Sequence, residues 1–278
     1  MKVTVIMDNT VPINSKMPFR GEHGFSLLLE HESNKILFDT GQTDAVIHNL
    51  SLLKVHPSEI DTVVLSHGHY DHTGGLFHIL QHGRKRYPLY AHSDIFMPRF
   101  SVTQDSRHFV GIPYVKDQLT TLGVDWHLSK EPIKIATNLW FSGQIPRTTD
   151  YELGDKRLVT CCNGSGDCQD SIQDDISMYF ISNNGLVVIG GCTHSGLVNT
   201  VNYGFQLTGA KRLLGWIGGT HLGPVSSGQQ IRTLDTLEKL KPEFIMAGHC
   251  TGFAMMAELN KRFGSRYTPA FVGANIEF

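Results

Sequence analysis

Residues 62–76 read Thr-Val-Val-Leu-Ser-His-Gly-His-Tyr-Asp-His-Thr-Gly-Gly-Leu, and this stretch restricts the fold more than any other. Thr62 to Leu65 is an apolar, β-branched run with strand character. His67, His69, Asp71 and His72 follow it at once. On extended chain, residues two apart point to the same side, so His67 and His69 present both rings together. Gly68 between them is expected to let the backbone turn tightly. Asp71 and His72 come where the chain turns towards a helix and so project at another angle. One pair would hold one divalent cation and the second pair a neighbour about 3.5–4 Å away. Four donors crowded behind a buried strand, with glycines on both sides, do not read as a histidine-rich surface loop.

The rest of the chain alternates strands and helices around this segment. Val3 to Ile6, Phe25 to Leu29, Ile36 to Phe38 and Thr62 to Leu65 are short strand-like runs, and Asp44 to Val55 has helical spacing. In the second half, Met178 to Ser182 and Leu186 to Ile189 flank Asn183-Asn184-Gly185, a hairpin signal in which Asn and Gly tolerate positive φ. A helix from Leu197 to Leu207, a strand from Leu213 to Ile217 and a helix from Gln229 to Leu240 come next. A strand from Phe244 to Met246 and a helix from Gly252 to Phe263 complete the order. Ile231, Leu234, Leu237 and Leu240 line one face of their helix, as core residues do. Each half runs from strands into helices, which predicts an α/β fold, an αββα sandwich of two packed mixed β-sheets flanked by helices. The whole chain, 1–278, is expected to be one domain. Residues 98–170, polar and weakly periodic, read as an insertion or lid over the site.

Composition narrows the partners. A net charge of -2 offers no basic field for nucleic acid. No apolar run approaches the roughly 20 residues of a spanning helix. The N-terminal apolar run is too short for a signal peptide, so a cytoplasmic location without membrane contact is expected. An odd count of five cysteines argues against a disulfide framework. Cys161, Cys162 and Cys168 match no zinc-ribbon spacing and read as free thiols on a Gly-rich loop.

His-x-His-x-Asp-His after a strand resembles the signature of the metallo-β-lactamase superfamily, and the resemblance extends over nearly the whole chain. Phe38-Asp-Thr-Gly41 resembles the preceding motif, which implies that Asp39 supports the metal loop by hydrogen bonds. Gly190-Gly-Cys-Thr-His-Ser-Gly196 and Gly248-His-Cys-Thr-Gly252 resemble the later metal motifs. Glu22-His-Gly24, Gly143-Gln-Ile-Pro-Arg147 and Gly218-Gly-Thr-His-Leu222 narrow the resemblance to the branch of dihydropterin ribofuranosylaminobenzene-phosphate synthases. The resemblance implies two divalent metal ions, zinc first and manganese or iron otherwise. His67 and His69 would bind the first, Asp71 and His72 the second, with His194 a further ligand and His249 completing the second site. The chain departs from the family at Cys192, where many members carry a bridging aspartate. A thiolate ligand and a small buried residue are both open there. It departs again at Asp174-Asp175, where many members place a histidine, which makes His194 the substitute.

Three residues outside the motif carry further expectations. His221, in a Gly-rich loop after an apolar strand, suits a ligand or a group contacting substrate as well as it suits a buried structural histidine. His23 would line the pocket or sit in solvent. Arg147 would hold an anionic substrate, since a guanidinium matches phosphate or carboxylate bidentately. The chemistry expected is hydrolysis of a small-molecule phosphoester or other small ester by a metal-bound hydroxide, with Asp71 steering the water or shuttling a proton. The alternatives are a synthase-type transferase joining two organic substrates with release of pyrophosphate, and a non-catalytic metal-binding protein.

Overall fold

A computed structural model describes residues 1–162 and 166–278. The chain divides into two units, described in turn. The first comprises Met1–Ser129, Arg157–Asp170 and Phe271–Phe278; the second comprises Lys130–Lys156 and Ser171–Ala270.

The first unit is built on a seven-stranded sheet in the order Asn275–Glu277, Lys2–Met7, Ser26–His31, Asn34–Phe38, Thr62–Val64, Tyr87–Ala91, Val124–Leu128. The first four strands pair antiparallel and the pairings from Asn34–Phe38 onward are parallel. Its core packs Leu37, Val63 and Leu89 from the sheet with Val46 and Leu50 of the helix Ala45–Leu52 and Ile79 and Leu80 of the helix Leu76–Gly83. The latter helix stops at Arg84, which takes a left-handed conformation (φ 49°).

The second unit repeats the scheme. Its sheet runs Tyr267–Pro269, Phe244–Ala247, Leu213–Ile217, Gly185–Gly190, Ser177–Ser182, Leu139–Phe141, Ile133–Ala136. The pairings are parallel up to Gly185–Gly190 and antiparallel beyond it. The helix Ser227–Leu240 begins where Ser226 Oγ accepts the Gln229 N–H. Leu234 and Leu237 of that helix are buried as its spacing predicted, but Ile231 is 53% exposed. The apolar stripe is therefore narrower than the sequence suggested. The expected hairpin is present, with Ser182 paired to Gly185. The positive φ falls on Gly185 (136°) and on neither asparagine.

Residues 98–170 do not stay together. Val124–Leu128 joins the first sheet, and Ile133–Ala136 and Leu139–Phe141 join the second. Arg99–Val102, Arg107–Phe109, Leu158–Cys162 and Gly166–Gln169 form a separate four-stranded antiparallel sheet. It is tied down by the buried Arg99, whose Nε donates to Asp170 Oδ2 at 2.9 Å. The free-thiol expectation is corrected here. Cys162 and Cys168 are disulfide-bonded, and of these three cysteines Cys161 alone is free. The antiparallel register opposes Thr160 to Cys168 and Cys162 to Gly166, which brings the two Cα atoms to 5.7 Å, within bridging range. Linear spacing does not reveal that register. The tip of this hairpin, 163–165, lies outside the described residues. Among the described residues, no helix is long and apolar enough to cross a membrane.

Candidate metal centre

In the first unit, Asn34–Phe38 and Thr62–Val64 are adjacent parallel strands, so the segments leaving their carboxyl ends emerge at one edge. Asp39 leaves first, in the left-handed region (φ 58°), with its N–H on the Val64 carbonyl at 2.8 Å. Its buried carboxylate accepts three hydrogen bonds, each 2.7 Å long, from the Ser66 N–H, Ser66 Oγ and His72 Nδ1. A carboxylate can only accept, so neutral His72 carries its proton on Nδ1 and a lone pair on Nε2. The Ser66 hydroxyl proton is committed to Asp39. In the 2.8 Å contact between Ser66 Oγ and His67 Nδ1 the imidazole is therefore the donor, which leaves the His67 lone pair on Nε2. That atom lies 2.9 Å from His69 Nδ1.

The motif histidines are packed together. The His67 ring centroid is 4.5 Å from that of His69 and 4.3 Å from that of His72. Asp71 Oδ2 is 3.7 Å from His72 Nε2 and 3.3 Å from Nε2 of the exposed His23. His67 and His72 are fully buried, and His69 and Asp71 nearly so. Three imidazoles and a carboxylate form a donor set that suits zinc, manganese or iron. Nitrogens 2.9 Å apart fit two ligands each about 2.0–2.1 Å from one cation. Gly68 serves a purpose other than the expected tight turn. Its φ is not in the left-handed region, but a Cβ there would lie 2.2 Å from the Ile95 carbonyl oxygen and 2.7 Å from Arg99 Nη1. Glycine is required for space.

In the second unit, Gly185–Gly190, Leu213–Ile217 and Phe244–Ala247 are three neighbouring parallel strands. The loops beyond them carry Cys192 and His194, then His221, then His249. Each of these loops holds a non-glycine residue at positive φ: Thr193 (65°), His221 (47°) and His249 (52°). Such strain gathers where structure serves a site. The His194 and His221 ring centroids are 4.1 Å apart. Cys192, His194 and His249 are buried.

Several side chains hold these loops. Arg147 donates from Nη1 to the His194 carbonyl at 2.8 Å and from Nη2 to the Ser171 carbonyl. It buttresses the His194 loop, and a clamp on an anionic substrate would require those bonds to open. Asp175 Oδ2 accepts the Ser195 N–H at 2.8 Å. Burial pushes the Asp175 carboxyl above its usual range, with the Ser195 bonds opposing. Glu152 accepts the N–H groups of Val198 and Asn199, both at 2.9 Å, at the start of the helix Leu197–Thr208. Burial pushes the Glu152 carboxyl up as well, against those same hydrogen bonds.

Cys250 was not anticipated. It follows His249 directly, and its Sγ lies 3.3 Å from the donating His221 N–H and 3.5 Å from the Cys192 carbonyl. Burial would push its thiol up, but the Cys192 and His221 side chains beside it hold it well below the usual range. A cysteine in a Gly-rich loop after a strand was the available signal, overshadowed by the histidine next to it.

The metallo-β-lactamase superfamily domain matches residues 20–147. The chain is 31% identical to 7,8-dihydropterin-6-methyl-4-(β-D-ribofuranosyl)-aminobenzene-5′-phosphate synthase of Methanocaldococcus jannaschii, over 100% of this chain and 97% of that one. Its structure superposes on a metal-dependent hydrolase of the β-lactamase superfamily with a TM-score of 0.83, at 23% identity, covering 100% and 99% of the two chains. Zn(2+)-bound PqqB from Methylobacterium extorquens gives a TM-score of 0.61 at 13% identity over the full length of both chains. The α/β fold read from the motif order is thus the fold of these neighbours. The chain belongs to the metallo-β-lactamase superfamily, in the branch that includes the methanogen synthase.

Proposed function

We propose that this protein is a metal-dependent hydrolase acting on a small anionic ester, a phosphoester first. The observation that carries this reading is the Asp39–Ser66–His72 network, which turns the lone pairs of His67 and His72 away from the hydrogen-bonded side of each ring. Histidines oriented this way are prepared to bind a cation. His67, His69, Asp71 and His72 would hold two divalent cations, zinc most readily, with His194 and His249 as the further donors that the family resemblance assigns. When bound, such cations would supply Lewis acidity that lowers the pKa of a water towards neutrality. Asp71 then handles the proton. Its carboxylate reaches His23, whose exposed ring passes protons to solvent. A cytoplasmic location belongs to the same reading.

One observation favours a second reading. Identity of 31% along the whole chain to a named synthase supports transfer between a pterin and an aminobenzene ribofuranosyl phosphate. The two are separated by substrate number. Hydrolysis needs one organic substrate and water; the transfer needs two and releases pyrophosphate. The first experiment is elemental analysis and a phosphodiester screen on the wild type and His67→Ala. About two metal equivalents and turnover, both lost in His67→Ala with unchanged circular dichroism, support the hydrolase. Full metal content and full turnover in His67→Ala would sink it.

A further inference from the structure

Away from the metal loop, the first unit carries two adjoining cavities where its helices Ala45–Leu52 and Leu76–Gly83 end. One, about 400 Å³, has an apolar side formed by Ile47, Val55 and Pro57, the last two buried. The other, about 650 Å³, is polar, lined by His56, Gln81, His82 and Arg84; His56 and His82 also line the first. Both volumes fall in the range of small-molecule sites. The walls are fixed. Lys54, which lines the first cavity, and Arg84 leave their helices in the left-handed conformation (φ 59° and 49°). Tyr87 Oη donates to the Pro57 carbonyl at 2.9 Å. His56 Nδ1 accepts the Ser58 N–H at 3.2 Å, so the ring proton sits on Nε2 as a donor. Both oxygens of Glu59 at the rim are committed, to Lys35 Nζ at 2.5 Å and to the His56 N–H at 2.7 Å. Lys54 and Arg84 form no ion pair among the described residues. Helix carboxyl ends favour cations, which accounts for one basic residue at each. It does not account for the cavities or for the apolar side of the first.

We infer that the joined cavities are a binding site for a small organic anion, an aromatic or short acyl body carrying one phosphate, sulfonate or carboxylate group. The body lies against Ile47, Val55 and Pro57, where its apolar surface leaves water. The anionic group lies among Lys54, the His56 Nε2–H and Arg84, whose guanidinium can pair two oxygens at once. The two halves set the selectivity. A neutral aromatic lacks the charge that the basic side chains answer, and inorganic phosphate lacks the body that the apolar side covers. None of these residues is among the donors proposed for the metal centre, so the two readings stand or fall separately.

The test uses 2-naphthalenesulfonate as the probe, an aromatic anion with no ester to hydrolyse, added to the full chain labelled at its Ile, Leu and Val methyl groups. Methyl NMR is expected to show saturable shifts of the Ile47 and Val55 signals. The dissociation constant should rise at least about 3-fold in each of Lys54→Gln and Arg84→Gln, the scale of a lost exposed ion pair. Both side chains are exposed, so neither is needed for packing. Affinity should be unchanged in His67→Ala, which separates this site from the metal centre. 2-Naphthol, uncharged at neutral pH, should bind at least about 3-fold more weakly than the sulfonate. No shift at Ile47 and Val55, binding lost in His67→Ala, 2-naphthol binding as tightly, or unchanged affinity in both charge variants would each overturn the site.

Discussion

Replacing Asp39 by asparagine tests the proton arrangement behind the candidate centre while preserving shape. Asparagine tolerates the left-handed backbone that Asp39 adopts (φ 58°), so no strain is added. With its carbonyl kept on the Ser66 N–H, the new amide NH2 replaces Oδ2, which had accepted from Ser66 Oγ and His72 Nδ1 at 2.7 Å each. Both partners must reverse. His72 must present a lone pair at Nδ1 and move its proton to Nε2. Ser66 Oγ accepts from the amide and turns its own proton to His67 Nδ1, which sends the His67 proton to Nε2 also. Two charge-assisted hydrogen bonds become neutral ones, a loss of about 1 kcal/mol each, so the folded state loses roughly 2 kcal/mol. The larger effect is on metal. Both Nε2 atoms now carry protons, and zinc affinity should fall about 10- to 100-fold, the usual scale for losing such a partner. Urea denaturation of the apo protein measures the first quantity and competition with a zinc chelator the second. Wild-type zinc affinity in Asp39→Asn would refute the tautomer argument, whatever the stability.

Two further predictions rest on single positions. Gly68→Ala places a methyl 2.2 Å from the Ile95 carbonyl. The loop must shift, and urea denaturation should show a loss of about 1–3 kcal/mol or more; an unchanged midpoint would mean the loop yields freely. The Glu152 carboxyl, raised by burial, predicts a pH effect. Above its ordinary value of 4.5 the unfolded chain releases this proton first, so the folded state binds more protons and stability falls as pH rises towards the raised value. Glu152→Gln removes that slope, and the stability advantage of the wild type over the variant should shrink with rising pH in that window. A constant difference across the titration would contradict it.

The order of strands and helices, the His-x-His-x-Asp-His motif and the family resemblance were legible because they are local. A β-branched run, a helical spacing or a ligand motif is complete within a dozen residues. Asp39, singled out in the sequence, accepts three hydrogen bonds from Ser66 and His72. Where the reading differed, a partner distant in sequence decided the matter. Gly68 is glycine because of the Ile95 carbonyl, and Arg147 faces the His194 and Ser171 carbonyls. Cys162 and Cys168 meet because two strands pair in one register, and Cys250 joins His221 and Cys192 because three parallel strands end at one edge. By itself, then, the sequence determined which residue types gather in each loop and which periodicities form each element. Only the tertiary structure decided which donors meet and which ring nitrogen keeps its lone pair, because hydrogen bonds and close approaches depend on distances that chain order does not encode.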